Sequence, residues 1–137
     1  LFLAISGARL FEPLVNEWLN TSIEKKTPIL IIGAGDTGEL LIQQIKLERS
    51  GNRRVFGMLD DDLSKQGNQI HGIPILGTRR DLGRIVQELG IKELYIAIRR
   101  PPDDLVRQVQ GYAEENGLAW MVVNPVASAP QAPPTPR

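Results

Sequence analysis

Cysteine is absent from the 137 residues, and histidine occurs once, at His71. The first absence excludes disulfides, thiolate metal sites and cysteine nucleophiles, and it suits a reducing compartment such as the cytosol. The second excludes a multi-histidine metal site. Neither sign of charge is in excess, since 16 Lys and Arg balance 16 Asp and Glu. No global field therefore draws the chain to nucleic acid or to an anionic membrane surface. The basic pairs Lys25-Lys26, Arg53-Arg54, Arg79-Arg80 and Arg99-Arg100 are scattered along the sequence, so a DNA-binding stripe is not expected. Long apolar runs are missing as well. Leu1-Phe2-Leu3-Ala4-Ile5 stops at Ser6 and Arg9, far short of the roughly 20 residues that cross a bilayer. That run is expected to be the last turn of a membrane helix in a longer parent, or else the buried start of the first helix. Position 1 is Leu rather than Met, which also leads us to expect a piece of a longer chain.

The stretch that is present in force is Ile29-Leu30-Ile31-Ile32-Gly33-Ala34-Gly35-Asp36-Thr37-Gly38. Four consecutive aliphatic residues predict a strand buried on both faces, as in a parallel sheet flanked by helices. The pattern G-x-G-x-x-G follows at once. Gly33 permits a tight turn, Gly35 lets the backbone approach a pyrophosphate, and Gly38 lets the next helix pack close to the sheet. That helix aims its first N–H groups at the phosphates. A second strand, Val55-Phe56-Gly57-Met58-Leu59, delivers Asp60 about 20 residues past the last glycine, where an acid binds a ribose hydroxyl pair. An unphosphorylated ribose, hence NAD rather than NADP, is the ligand such an acid favours. Glycine turns of this kind also serve purely as strand-to-helix connectors, so the context on both sides carries the reading.

Further along, the apolar residues alternate between helix and strand periods. Leu10, Phe11, Leu14, Val15, Trp18 and Leu19 form one face of an amphipathic helix ahead of the first strand. Its partner is open: the sheet, a second copy of the chain in a homodimer, or the rest of the parent. The helix after the glycine turn carries Leu40, Leu41, Ile42, Ile45 and Leu47 and is expected to end near Gly51 as its cap. Asp61 and Asp62 read as turn formers with Ser64 and Gly67, although three adjacent carboxylates also offer oxygen ligands to a hard cation. Residues 69–77 read as a hairpin-like or edge segment, because Pro74 cannot donate to a central ladder. His71 falls in it as a loop histidine with no partner nearby in sequence. Thr78 and Asp81 predict a capping box before Leu82, Ile85, Val86 and Leu89. Leu94–Ile98 predicts a strand. Pro101-Pro102-Asp103-Asp104 opens a helix that closes at Asn116-Gly117, and 118–123 predicts the last strand. The proline-rich stretch 124–137 has nothing to bury and reads as a tail or linker.

The chain thus divides into an N-terminal helix and connector (1–25), a Rossmann-like α/β domain (26–123) and a tail (124–137). The expected fold is a doubly wound parallel sheet of order 3-2-1-4-5, with its ligand crevice above the carboxyl ends of strands one and four. The candidate ligand residues are Gly33, Gly35, Asp36, Thr37 and Gly38 in the turn and helix start, Asp60 and Asp61 after the second strand, and Arg99 after the fourth. Arg99 or Arg100 would pair with a phosphate or carboxylate, or stand solvated in a loop.

Four segments together, 33–41, 57–62, 70–77 and 91–98, carry a resemblance that covers about Lys26 to Val123. They resemble the nucleotide-binding domain found between the membrane helices and the catalytic domain of CapD-like bacterial polysaccharide-biosynthesis proteins. That family comprises nucleoside-diphosphate-sugar epimerases and 4,6-dehydratases, including quinovosamine dehydrogenases. The module is also similar to the soluble domain of membrane sugar-phosphate transferases, to the sugar-binding domain of some sugar acetyltransferases, and to CoA- or NADH-sensing domains of redox repressors. The resemblance implies a module that holds NAD, a UDP-sugar or CoA, carried at the cytoplasmic face of the membrane by its parent. The glycines and Asp60 carry over from the family pattern, whereas Arg99-Arg100 departs from the small polar residues expected there. The extended short-chain enzymes use a tyrosine four residues before a lysine. Here Tyr95 is followed at that spacing by Arg99 and Tyr112 by Asn116, so this stretch is not expected to catalyse turnover alone.

Overall fold

Residues 26–48 and 51–123 are described by the computed structural model. The expected helix over 10–19, the connector that follows it and the tail over 124–137 lie outside these residues. Strand β1 (Thr27–Ile32) is followed by helix α1 (Asp36–Leu47), β2 (Arg53–Leu59), β3 (Gln69–Ile70), β4 (Ile73–Gly77), α2 (Leu82–Leu89), β5 (Glu93–Ile96), α3 (Asp103–Asn116) and β6 (Ala119–Val122). One-turn 3₁₀ helices at Leu63–Lys65 and Arg79–Asp81 complete the connections. The sheet runs β3-β4-β2-β1-β5-β6. All its neighbours are parallel except β3, which pairs antiparallel with β4. The expected 3-2-1-4-5 order is present in β4-β2-β1-β5-β6. The segment around Pro74 adds one short edge strand, so that Pro74 faces Gln69 of β3.

The four aliphatic residues of β1 are buried on both faces, as a central parallel strand requires. Ile29 and Ile31 pack under α1 with Leu41, Ile42 and Ile45. Leu30 and Ile32 pack on the other face under α2 and α3, with Ile85, Val86, Leu105 and Val109. Among the described residues, one helix therefore covers one face and two cover the other. Of the apolar residues that mark α1 in the sequence, Leu40 and Leu47 are 51% and 80% exposed and look outward.

Helix ends mostly follow their chemistry. Thr78 and Asp81 form the expected capping box, and Gly90 and Gly117 close α2 and α3 in the left-handed conformation. The expected cap at Gly51 is corrected: α1 ends at Leu47, and Glu48 is its cap in an extended conformation. The reason is electrostatic, because both carboxylate oxygens of Glu48 take the guanidinium of Arg53 at the start of β2, a bidentate pair that draws Glu48 off the helix axis.

Arg53 also donates to the Tyr95 hydroxyl at 3.0 Å, and that hydroxyl donates to Glu93. Burial, followed by the Glu93 hydrogen bond, pushes the Tyr95 phenol up to about 12. Folding therefore favours the neutral phenol. The stability it contributes is fully present below the ordinary value of 10.0 and is lost as pH rises from there to about 12. Tyr95→Phe is expected to remove that alkaline slope, read as the difference between the two proteins' unfolding free energies across this window.

Candidate functional site

The site is built where β1 ends. Its last amide ladder passes into the turn through the Gly33 N–H, which donates to the Leu59 carbonyl at 2.8 Å. Gly33 stands at φ +114°, a region that side chains rarely adopt. A Cβ there would lie 2.6 Å from the Ala97 carbonyl oxygen, so the turn is pressed against the exit of β5. A Cβ on Gly38 would strike the Gly33 carbonyl oxygen and the Met58 methyl, so the first turn of α1 rests directly on the loop. Gly35 is different. Nothing lies within 4 Å of where its Cβ would be. The two outer glycines of the motif serve close packing, and the middle one keeps bare backbone toward open space.

Gly35 is the N-cap of α1, and no side chain caps the helix. Its first-turn N–H groups, those of Asp36, Thr37 and Gly38, take no side-chain cap and stand at the positive end of the helix dipole, where an anion is favoured. Thr37 is buried, whereas Asp36 is exposed and, with Glu39, places acid in the first turn.

Asp60 reaches this turn from β2. Its Oδ2 accepts from the Ala34 N–H at 2.8 Å and its Oδ1 from the Asp62 N–H at 2.9 Å. A register shift makes this contact. Opposite Ile29 and Leu30, β2 supplies Val55 and then Gly57, so Phe56 is one residue extra. Without that bulge, residues 55, 57 and 59 would share a face and Asp60 would point to the other. With it, Val55 and Met58 both pack on the α1 side, Leu59 on the opposite side, and Asp60 turns toward the glycine loop. The Asp60 oxygens retain lone pairs for ribose hydroxyls while holding these amides.

Lys65 is a neighbour that sequence reasoning missed. Its Nζ lies 3.5 Å from Asp60 Oδ2 and donates to the Ala34 carbonyl at 3.4 Å. It comes from the 3₁₀ turn begun by Asp62, whose carboxylate accepts from the Ser64 amide and hydroxyl. These bonds, the hydroxyl's first, hold Asp62 below the usual carboxylate range. No fixed spacing links a lysine in such a turn to the glycine motif, so only the fold brings it there.

Asp61 is placed elsewhere. Its carboxylate accepts from the Arg79 amide at 3.0 Å and pairs with the Arg79 guanidinium, which also bonds Asp104 of α3 at 2.8 Å. Arg99 is exposed, two residues past the Ala97 carbonyl that abuts Gly33. It stands beyond the carboxyl ends of β1 and β5, on the same edge of the sheet as the glycine turn. Among the described residues it makes no hydrogen bond or ion pair. The structure thus brings Gly33, Gly35, Asp36, Thr37, Gly38 and Asp60 together, leaves Arg99 at the rim, and engages Asp61 in a bracket between β2, β4 and α3.

His71 has a partner 32 residues away. Its Nε2 lies 3.0 Å from Glu39 Oε1 and 3.2 Å from Gln43 Nε2, and Lys46 donates to its carbonyl at 2.6 Å. The tip of the β3–β4 hairpin is thereby held to the outer face of α1. Among the described residues, no group of three or more His, Asp or Glu side chains is placed to hold a metal ion.

A glycine turn leading from a buried parallel strand into an uncapped helix, with an acid from the adjacent strand bonded to the turn, defines a Rossmann-type nucleotide-binding module. The chain belongs to the family described as CoA-binding domain, whose profile matches residues 1–123. It is 31% identical over 96 residues to the probable polysaccharide biosynthesis protein EpsC of Bacillus subtilis (strain 168). It is likewise 31% identical over 98 residues to the capsular polysaccharide biosynthesis protein CapD of Staphylococcus aureus. Each alignment covers 70% of this chain and 16% of the relative, so the chain spans about a sixth of those proteins' length. Among solved structures, the fold is shared with UDP-D-quinovosamine 4-dehydrogenase from Vibrio fischeri, at TM-score 0.62 and 19% identity over 74% of this chain and 80% of that one. It is shared too with RSP in complex with β-NADH, at TM-score 0.60 and 17% identity over 93% and 57% of the two chains. No helix of the described residues is long and apolar enough to cross a membrane.

Proposed function

We propose that this chain is the nucleotide-holding module of a larger bacterial polysaccharide-biosynthesis protein, an epimerase, dehydratase or dehydrogenase acting on a nucleoside-diphosphate sugar. The observation that carries the reading is the juxtaposition of open backbone at Gly35, the uncapped start of α1 and the Asp60 carboxylate. Phosphates fit the first two, and a ribose fits the third. NAD satisfies all three. The names of EpsC and CapD support the polysaccharide context, and the NADH-bound RSP supports a dinucleotide on this fold. The module binds rather than catalyses, the reacting groups belonging to the rest of the parent at the cytoplasmic face of the membrane. Asp36 and Thr37 contribute backbone N–H groups, and Arg99 closes over a phosphate from the rim. Asp61 joins only by releasing Arg79.

Lys65 favours a second ligand. An ammonium beside Asp60 offsets that carboxylate and suits a ribose carrying its own phosphate, as in CoA. Calorimetric titration of the chain with NAD, NADP, CoA and a UDP-sugar separates these readings. Binding of NAD, unaffected by Lys65→Ala, is the expected result. Preference for CoA, lost in Lys65→Ala, would make CoA the ligand, and preference for the UDP-sugar would make the module a substrate holder. Binding of none would reduce the glycine turn to a connector.

A further inference from the structure

At the opposite end of the sheet from the glycine turn lies a groove of about 510 Å³ between the last turn of α1 and the starts of β2 and β4. Among the described residues, Ile42, Ile45, Val55 and Ile73 supply apolar walls, and four cations, Lys26, Lys46, Arg53 and Arg54, line it with a single acid, Glu48. Glu48 is already spent on Arg53, so the described part of the rim is net positive. We propose that the amphipathic segment Leu10–Leu19 of this same chain docks in that groove and completes the layer that α1 begins.

Coverage is the first reason. A helix about 10 Å wide spans roughly two strands of a sheet spaced near 4.8 Å, and α1 is the only described helix on its face of the six-stranded sheet. Ile70 and Ile73 on one flank are only partly buried. Chain geometry is the second. The segment joins the fold at Lys26, itself a groove residue, so a short connector returns it to the site. The proline-rich tail leaves instead from the carboxyl end of β6 and carries no comparable apolar face. Charge is the third. Leu10–Leu19 holds two acids, Glu12 and Glu17, and no base, which complements the cationic rim.

The chain has two tryptophans, Trp18 and Trp120, so a Trp120→Phe background leaves Trp18 as the sole reporter. In the full folded chain, Trp18 is expected to emit at shorter wavelength and to be quenched by iodide severalfold more slowly than in urea. Ile73→Glu, and separately the pair Lys46→Glu and Arg54→Glu, should each expose it while circular dichroism keeps the native signal. Adding Glu12→Lys and Glu17→Lys to that pair should restore the shielding. Should Ile73→Glu unfold the domain, the exposed charge pair and its rescue decide alone. Trp18 quenched in the folded chain as fast as in urea would overturn the proposal. So would shielding that ignores the charge pair, or shielding that disappears on dilution, which would place the segment on a second copy.

Discussion

Gly33→Ala and Gly38→Ala are each expected to destabilise the domain by about 3 kcal/mol or more, because the new methyl meets backbone oxygen, which cannot move aside as a side-chain tip can. Thermal midpoints should fall by more than roughly 10 °C. At Gly33 the left-handed backbone adds its own strain. The same change at Gly35 gives the opposite pattern. Its φ of −101° is open to any residue and its Cβ meets nothing, so stability should stay within about 1 kcal/mol. Nucleotide affinity should drop, since the methyl stands where a pyrophosphate would lie against the chain. Thermal unfolding and calorimetric titration of the three variants check this split between packing and binding.

Asp60→Ala is expected to lower both properties. The carboxylate holds the Ala34 and Asp62 N–H groups and faces Lys65; a hydrogen bond to a charged group contributes roughly 1.5–3 kcal/mol, and of the two only the Ala34 bond is part-buried, the Asp62 bond being exposed to water. A stability loss of about 1–3 kcal/mol should accompany at least tenfold weaker NAD binding, if the same oxygens take the ribose. Asp60→Asn keeps an acceptor for Ala34 and should recover most of the stability and little of the affinity. Equal recovery of both would mean that Asp60 only ties the turn.

Much of this architecture can be read from local patterns. The buried run of β1, the glycine spacing, the Thr78 capping box and the closing glycines Gly90 and Gly117 each state their conformation in a few adjacent residues. The features that were not legible are those set by register or by long-range contact. The bulge at Phe56 has no local signature, yet it decides which way Asp60 faces. Glu39 as the partner of His71, Arg79 as the partner of Asp61, and Lys65 beside the glycine turn all join positions that the chain separates by at least 18 residues.

The central claim is that a nucleotide's phosphates rest on the first turn of α1. Backbone amide shifts recorded by NMR during titration with NAD test it residue by residue. The account predicts that the largest changes fall on Ala34 to Gly38, with Asp60, Lys65 and Arg99 following and the groove around Ile73 unmoved. Changes confined to that groove, or saturating shifts that leave Gly35 and Asp36 where they were, would contradict it.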